Sequence, residues 1–464
     1  MDWLPTLADR TGPTYHRILD ALTADITSGR LRRGQQLPTH RALAKALGID
    51  LTTVTRAYRE AQQRGLTEAR VGQGTFVADA PNKTIAAAAR HPARLDFDLS
   101  MNLPPHPPAA DLEGRIGRAI SAIEREQGFS AYLNYAESGG GAHERGVAAD
   151  WLRTRIPGAD AARLALCSGA QAALCAIMLA LCAPNDLVLT DQLTYPGIKA
   201  AAAHARVRLV GVAMDEHGMV PDALRIAIAR HKPKAVYLVP TIHNPTTATL
   251  PASRRAEIAE IIAAHNIMLI EDDAYGQLAP DAIPLAALIP RHTIHVASLS
   301  KCISPGLRIA LLLAPDAATN ARLTAALRAM LQMPVPLMVA LVARWFADGS
   351  ADAIIAAIRE EAQARQKMAD RALAGIEYAA HRNGHHIWLP VPPAWNRAEF
   401  AAHMRANGMA TVVSDVFHLD GGTEAPQQAV RIALGAARER AELATGLEAL
   451  AAAMRLPPLA AQVV

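Results

Sequence analysis

The chain has 464 residues, 51% of them hydrophobic, enough for a large core and for two or three domains, so global disorder is excluded. Its longest apolar run, Ala172–Ala183, is too short to span a bilayer and stops at Pro184-Asn185, so no membrane span is expected. The net charge of +4 is unevenly placed: from Arg30 to Arg70 nine Lys/Arg stand against three acids, which points to a polyanionic partner for that segment. The opening Met1-Asp2-Trp3-Leu4-Pro5 has neither a basic nor an apolar export region. Cys167, Cys175, Cys182 and Cys302 form no CxxC pair and no metal spacing. A cytoplasmic location with reduced thiols and no metal is the expectation.

The first predicted helix covers residues 14–28, with Ile18, Leu22 and Ile26 at helical spacing and Gly29 at its end. A second begins at Thr39 as N-cap, places Leu43, Ala44 and Leu47 inward, and closes at Gly48. A third begins near Leu51-Thr52-Thr53 and turns Val54, Ala57 and Tyr58 inward. Two short helices across a glycine-containing turn make a helix-turn-helix, whose second helix offers its N-terminal residues to a major groove. Residues 66–70 and 74–77 then read as two strands of a wing around Val71-Gly72-Gln73.

The run Gly29-x-Leu31-x-x-Gly34-x-x-Leu37-Pro38-x-x-Arg41-x-Leu43-Ala44 and the close Gly72-Gln73-Gly74-Thr75-Phe76-Val77 resemble the GntR-type winged helix over residues 15–77. By that resemblance Arg41, Thr52, Thr53 and the wing at Gly72 would contact phosphates or base edges of double-stranded DNA. Many members carry Arg where this chain has Leu51, and Arg56, one turn on, would take over part of that role. Residues 80–100 follow as a linker and extended arm, rich in alanine and proline and continued by prolines at 104, 105, 107 and 108.

Beyond the linker, apolar strand patterns at 164–167, 186–190, 206–212, 235–239, 267–270 and 293–296 alternate with helical stretches. That alternation predicts an α/β unit, a mostly parallel sheet with helices on both faces and its ligand crevice at the strand C-termini. Chemistry-bearing residues follow these strands one after another. After the first, Ser168-Gly169-Ala170-Gln171 leads into an apolar helix and forms an anion site of free backbone N–H groups. Tyr195, His243-Asn244-Pro245 and Asp272-Asp273-Ala274-Tyr275 come next, and then Ser298, Ser300, Lys301 and Arg308. A lysine at a strand end, shielded from water, has a lowered pKa and an amine free to attack a carbonyl. Beside it, two hydroxyls and a guanidinium suit a phosphate, the pairing needed to hold pyridoxal 5′-phosphate as a Schiff base.

In order and spacing this series resembles the fold-type I aminotransferases of class I over residues 95–450. The resemblance implies that Lys301 binds the cofactor covalently and that Asp272 keeps the pyridine nitrogen protonated. Tyr275 and Asn244 would hydrogen-bond the ring O3′, and Tyr195 would stack on the ring face. The amides of Ala170 and Gln171, with Ser298 and Arg308, would hold the phosphate. Tyr135 would reach the phosphate of a neighbouring subunit, implying a homodimer, and Arg431 would pair with a substrate α-carboxylate. Thr247 stands where many members have Gly, Glu144 where they are apolar, and Cys302 where Thr is common. His381, His385 and His386 read as a surface turn around Gly384. A smaller α+β domain is expected from residues 101–129 and 335–464, beside a large domain at 130–330.

A winged helix (1–79) joined to an aminotransferase-like unit (101–464) is similar to the MocR/GntR-aminotransferase transcriptional regulators. The expectation is a PLP-dependent DNA-binding regulator that senses an amine, an amino acid or PLP. The alternative is an aminotransferase moving an amino group between an amino acid and a 2-oxo acid.

Overall fold

A computed structural model of the protein describes residues 3–6, 14–27, 30–32, 34–63, 66–70, 74–77, 97–419 and 427–455. The chain divides into two compact units, Met1–Leu95 and Asp96–Val464.

The first unit contains α1 (Thr14–Thr27), α2 (His40–Leu47), α3 (Leu51–Gln63) and the antiparallel pair β1 (Thr67–Arg70) and β2 (Gly74–Val77). Thr39 caps α2 as its sequence predicts, accepting from Ala42 N at 3.3 Å. Gly48 ends the helix at φ 65°, a left-handed position where a side chain would be strained. Asp50 starts α3 by accepting from Thr52 N at 2.7 Å. Ile18, Leu22, Leu43, Val54, Ala57 and Tyr58 are all buried in one core, and each large aliphatic there contributes about 1.5–3 kcal/mol by leaving water. Tyr58 satisfies its buried hydroxyl on Pro38 O at 3.0 Å. The inward faces predicted for the second and third helices are thus the observed ones. Of the wing, Gly72 lies outside the described residues, as does the linker up to residue 96.

The second unit is built on a seven-stranded sheet: β4 (Leu164–Cys167), β5 (Leu187–Asp191), β6 (Arg208–Val212), β7 (Ala235–Leu238), β8 (Met268–Asp272), β9 (Thr293–Ser298) and β10 (Ala310–Leu313). The order is β4-β10-β9-β8-β7-β5-β6, and only β10 runs against the others. The strand predictions missed β10, because the Pro305-Gly306 break hides the apolar run that returns behind it. The central strands are buried along their whole length, as sheets covered on both faces are.

A four-stranded antiparallel sheet forms the smaller part, in the order β11 (Ala379–Ala380), β12 (His386–Pro390), β15 (Ala429–Ala433) and β14 (Val412–Val413). Beside it β3 (Phe97–Asp98) pairs in parallel with β13 (Met409–Ala410). One expectation needs correcting. Helix α4 (Leu112–Gln127), placed by its sequence position in the small domain, buries Ala119 and Ile123 in the same core as Leu164, Leu166 and Leu299 of the large sheet region. Helix α5 (Ala142–Leu152) shares that core, as does α7 (Pro336–Ala347), whose Phe346 stacks on Trp151 at 4.3 Å. Burial of the apolar stripe on α4, rather than its place in the chain, decides where it packs.

The proline-rich arm is extended and partly buried. Leu99 O accepts from Ala433 N at 2.8 Å, and the ring of His106 bonds Ile303 O at 3.2 Å. The arm therefore carries Ser100 and Asn102 directly to the C-terminal edge of the large sheet.

Candidate functional site

At that edge one pocket is lined by Ala170, Gln171, Tyr195, Asn244, Asp272, Tyr275, Ser298, Ser300, Lys301 and Arg308. These residues come from the ends of five strands, β4, β5, β7, β8 and β9, and the loops behind them, and each was singled out in the sequence.

The turn from β4 into α6 (Ala170–Leu181) explains Gly169. Its φ of 88° is left-handed, and a Cβ there would lie 2.7 Å from Arg308 Nη2. Only glycine lets the guanidinium come close enough to donate to Ser168 O at 3.1 Å. The first amides of α6 then face the same space as Arg308, and the helix dipole adds to their attraction for an anion. Gln171 turns its side chain to Gly197 O at 2.9 Å, so its contribution to the pocket is its backbone. Ser298 accepts from Ser300 N at 3.2 Å, which leaves its hydroxyl proton free to donate.

Asp272 closes β8. Burial, then the nearby charge of Asp273, raises its carboxyl to about 6, against a hydrogen bond from Tyr237 that acts the other way. Tyr237 holds Oδ2 at 2.8 Å, whereas Oδ1 is buried without a partner in the protein. Burial and then the charge of Arg431 pull the amine of Lys301 down to about 8, with Asp272 opposing. Lys301 donates to Asn102 O.

Tyr275 and Asn244 are both left as donors toward the pocket. Asn102 Nδ2 donates to Tyr275 Oη at 2.6 Å, so the Tyr275 proton is not committed there, and burial pushes its pKa up and keeps it protonated. Arg431 Nη1 donates to Asn244 Oδ1 at 2.8 Å, which leaves the Asn244 amide hydrogens free. The loop that carries Asn244 holds Ile242 and Thr247 at φ 49° and 64°. Such backbone costs a β-branched residue about 1–3 kcal/mol.

Arg431 lies behind Asn244 on β15, buried, with Nη2 on Ser100 O at 2.7 Å and Nε without a partner. Tyr135 is not part of this pocket and is 84% exposed. Glu144 sits in the first turn of α5, where a carboxylate favours the helix N-terminus. Cys302 is fully buried and donates to Ser298 O at 3.5 Å.

Four residues of the site were missed in the sequence: Asn102, Tyr237, His385 and His386. The surface reading of the histidines is overturned for two of them. His385 and His386 are buried at the start of β12, and burial draws His385 down to about 3 and His386 well below its ordinary value. As neutral rings, His385 Nε2 bonds Lys301 O at 2.7 Å, and His386 bridges Asn102 Nδ2 and His243 O. They join the small sheet to the lysine loop and the arm. Their only signal was position, directly ahead of the apolar run Ile387–Leu389.

On the first unit Arg41, Thr52 and Arg56 are exposed, and Thr53 is half-buried. The Thr52 hydroxyl donates to Asp50, and the guanidinium of the exposed Arg56 lies 4.0 Å over the Tyr15 ring. Leu51, first in α3, is 40% exposed.

A basic winged helix and a pocket that pairs a water-shielded lysine with a buried carboxylate define a protein of two units, one of a DNA-binding type and one of a cofactor-binding type. Residues 14–77 match the model of the bacterial regulatory proteins of the gntR family, and residues 98–450 match that of aminotransferase class I and II. The chain belongs to the class I and II aminotransferase family fused to a GntR winged helix, the composition of the MocR-type transcriptional regulators. The HTH-type transcriptional regulator YdeF of Bacillus subtilis is 29% identical, over 96% of each chain. The vitamin B6 salvage pathway transcriptional repressor PtsJ of Salmonella typhimurium is 28% identical, over 91% of this chain and 94% of its own. The second unit has the fold of the α-aminoadipate aminotransferase LysN of Thermus thermophilus, with a TM-score of 0.71 and 23% identity over 79% of this chain and 93% of that one.

Pyridoxal 5′-phosphate is the cofactor of this family, and the pocket fits it. The unpartnered Oδ1 of Asp272 suits a protonated ring nitrogen. Tyr275 and Asn244 offer two donors to one oxygen, and Arg308 with the α6 amides suits a phosphate.

Proposed function

We propose that this protein acts in the cytoplasm as a homodimeric regulator that binds duplex DNA through its first unit. Through its second it reads a primary amine, an amino acid or pyridoxal phosphate itself. The observation that carries the reading is the pairing of Lys301 with Asp272 in one pocket, in a chain that keeps a complete helix-turn-helix.

When bound, the cofactor supplies an aldehyde that condenses with primary amines and a ring that withdraws electrons. The chain supplies the rest. Lys301, with its amine drawn toward neutrality, would be the covalent anchor, and Asp272 would face the ring nitrogen. Tyr275 and Asn244 would hold the ring oxygen, and Tyr195 would cover a ring face. The amides of Ala170 and Gln171, with Ser298, Ser300 and Arg308, hold the phosphate, and Gly169 makes room for the guanidinium. Arg431, whose buried Nε lacks a partner, is the receptor for an effector carboxylate. Leu133 and Tyr135, 82% and 84% exposed, are the side chains that a second copy would cover. Arg41, Thr53, Arg56 and the wing at Gly72 contact DNA, with Thr52 contributing once it exchanges Asp50 for a phosphate. The name of the Salmonella typhimurium relative supports keeping pyridoxal phosphate itself among the effectors.

The test is to load the full chain with cofactor, find its duplex by footprinting upstream of its own and adjacent genes, and titrate amines. An effector should change both the visible spectrum and DNA affinity, with a coupling of about 1–3 kcal/mol in either direction. Amines that change the spectrum, leave DNA affinity constant and are turned over with 2-oxo acids at enzyme-like rates would establish the aminotransferase reading instead. Lys301 and Arg431 together keep that reading in play.

A further inference from the structure

Tyr237 is fully buried inside the apolar strand β7. Its register partner on β8 is Ile270, so it shares a face with Asp272, two residues on, within diagonal reach of a long aromatic side chain. Its hydroxyl, which burial would leave costly if unmet, donates to Asp272 Oδ2 at 2.8 Å. The second oxygen of the same carboxylate is the one with no partner, and Asp272 lines the pocket that Lys301 lines. We propose that Tyr237 is a positioning residue: it clamps one oxygen of Asp272 so that the other is presented, as an anion, to the cofactor ring nitrogen.

This rests on the reading of the pocket as a pyridoxal phosphate site. Two physical effects support the clamp. The carboxylate torsion is intrinsically broad, so a fixed donor on one oxygen sets the plane of the other. The donor also favours the charged form of a buried acid. Around Asp272, burial and Asp273 raise its pKa, while Tyr237, His295 and Lys301 oppose them, Tyr237 most strongly. Burial holds the pKa of Tyr237 far above its ordinary value, so the hydroxyl remains a donor wherever the protein is folded. Without it the acid moves toward neutrality and can no longer balance a protonated ring nitrogen.

The alternative is that the bond only relieves the burial of Tyr237. The two are separated by the ring nitrogen itself. Dissociation constants are measured on the full chain for pyridoxal phosphate and for its 1-deaza analogue, in which the nitrogen is replaced by CH. Tyr237→Phe should weaken the natural cofactor about ten- to hundredfold, the worth of a hydrogen bond to a charged group, and leave the deaza analogue unchanged. In an Asp272→Asn background the same substitution should have no further effect. Equal weakening of both ligands, or of neither, overturns the proposal. If Phe does not yield a folded chain, Tyr237→Gln, which keeps a donor, should retain the preference that Tyr237→Met loses. Equal preference in those two variants overturns it as well. A wild-type protein that binds both ligands equally refutes the cofactor-site reading itself, whatever Tyr237 does.

Discussion

In the winged-helix unit Arg41, Thr52 and Arg56 stand in water above a core of Ile18, Leu22, Val54 and Tyr58. In the aminotransferase unit Asp272, Asn244, Tyr275 and Arg431 are buried themselves. The contrast follows from the ligands. A phosphate backbone is a large, solvated polyanion, and exposed cations bind it by releasing counterions, with no need to leave water. A cofactor ring that must hold a charge on one nitrogen needs groups whose pKa values are shifted, and burial is what shifts them. Substitutions in the first unit should therefore act through salt-dependent affinity. Those in the second should act through spectra and pH.

The sharpest break is Lys301→Ala. It should remove the cofactor's lysine-linked visible band entirely, together with the adduct that borohydride reduction fixes on the wild type, as read by absorbance and intact mass. DNA affinity without effector should remain that of the wild type. A band that survives the substitution unchanged would place the covalent anchor elsewhere.

Asp272→Asn sharpens the contrast through pH. The carboxyl of Asp272 is raised from 3.8 to about 6 in the folded protein. The folded state therefore binds the proton more tightly than the unfolded one, and the cost of the buried anion is absent below about pH 4 and complete above about pH 6. In the cofactor-free protein the substitution should stabilise the second unit at pH 8 by on the order of 2–3 kcal/mol, and the gain should fade toward pH 4. Urea unfolding at the two pH values measures it. A gain of equal size at both would show that the cost is not one of charge. With cofactor bound the same variant should lose affinity instead.

Arg41→Ala should weaken every duplex several-fold and lower the slope of log affinity against log salt by about one, leaving the cofactor spectrum untouched. Substitution of Thr53 or Arg56 should also change sequence preference. Filter binding across a salt series checks the first, and competition among duplexes the second. Any shift of the cofactor band in Arg41→Ala would blur the separation of the two units.

The smallest effect is expected at Thr247→Gly. Relief of its φ of 64° is worth about 1–3 kcal/mol, offset by about 0.5–1 kcal/mol of added freedom in the unfolded chain. A net stabilisation of about 1 kcal/mol should appear as a small rise in the unfolding midpoint. A loss of stability would mean that the buried Thr247 side chain contributes more than its backbone costs.

What the sequence determined by itself is local. Thr39 and Gly48 bound α2, the helical spacing of Val54, Ala57 and Tyr58 sets the inner face of α3, and the strand-end positions of Gly169, Asn244, Asp272 and Lys301 mark one edge of a parallel sheet. Caps, periodicity and strand ends depend on residues a few positions apart, so the chain displays them before it folds. Only the tertiary structure decided which partners those residues meet. Tyr237 is an ordinary strand residue until the register of β7 on β8 turns its hydroxyl to Asp272. His385 and His386 look like a polar turn until the small sheet carries them beneath Lys301 and Asn102, 84 residues away for the bond from His385 to Lys301 and 284 for that between Asn102 and His386. The helix α4 shows its stripe in the sequence, but not which sheet will cover it. Burial is a property of the assembled chain, and it is burial that turns an aspartate, a lysine and two histidines into groups with shifted pKa values and fixed partners.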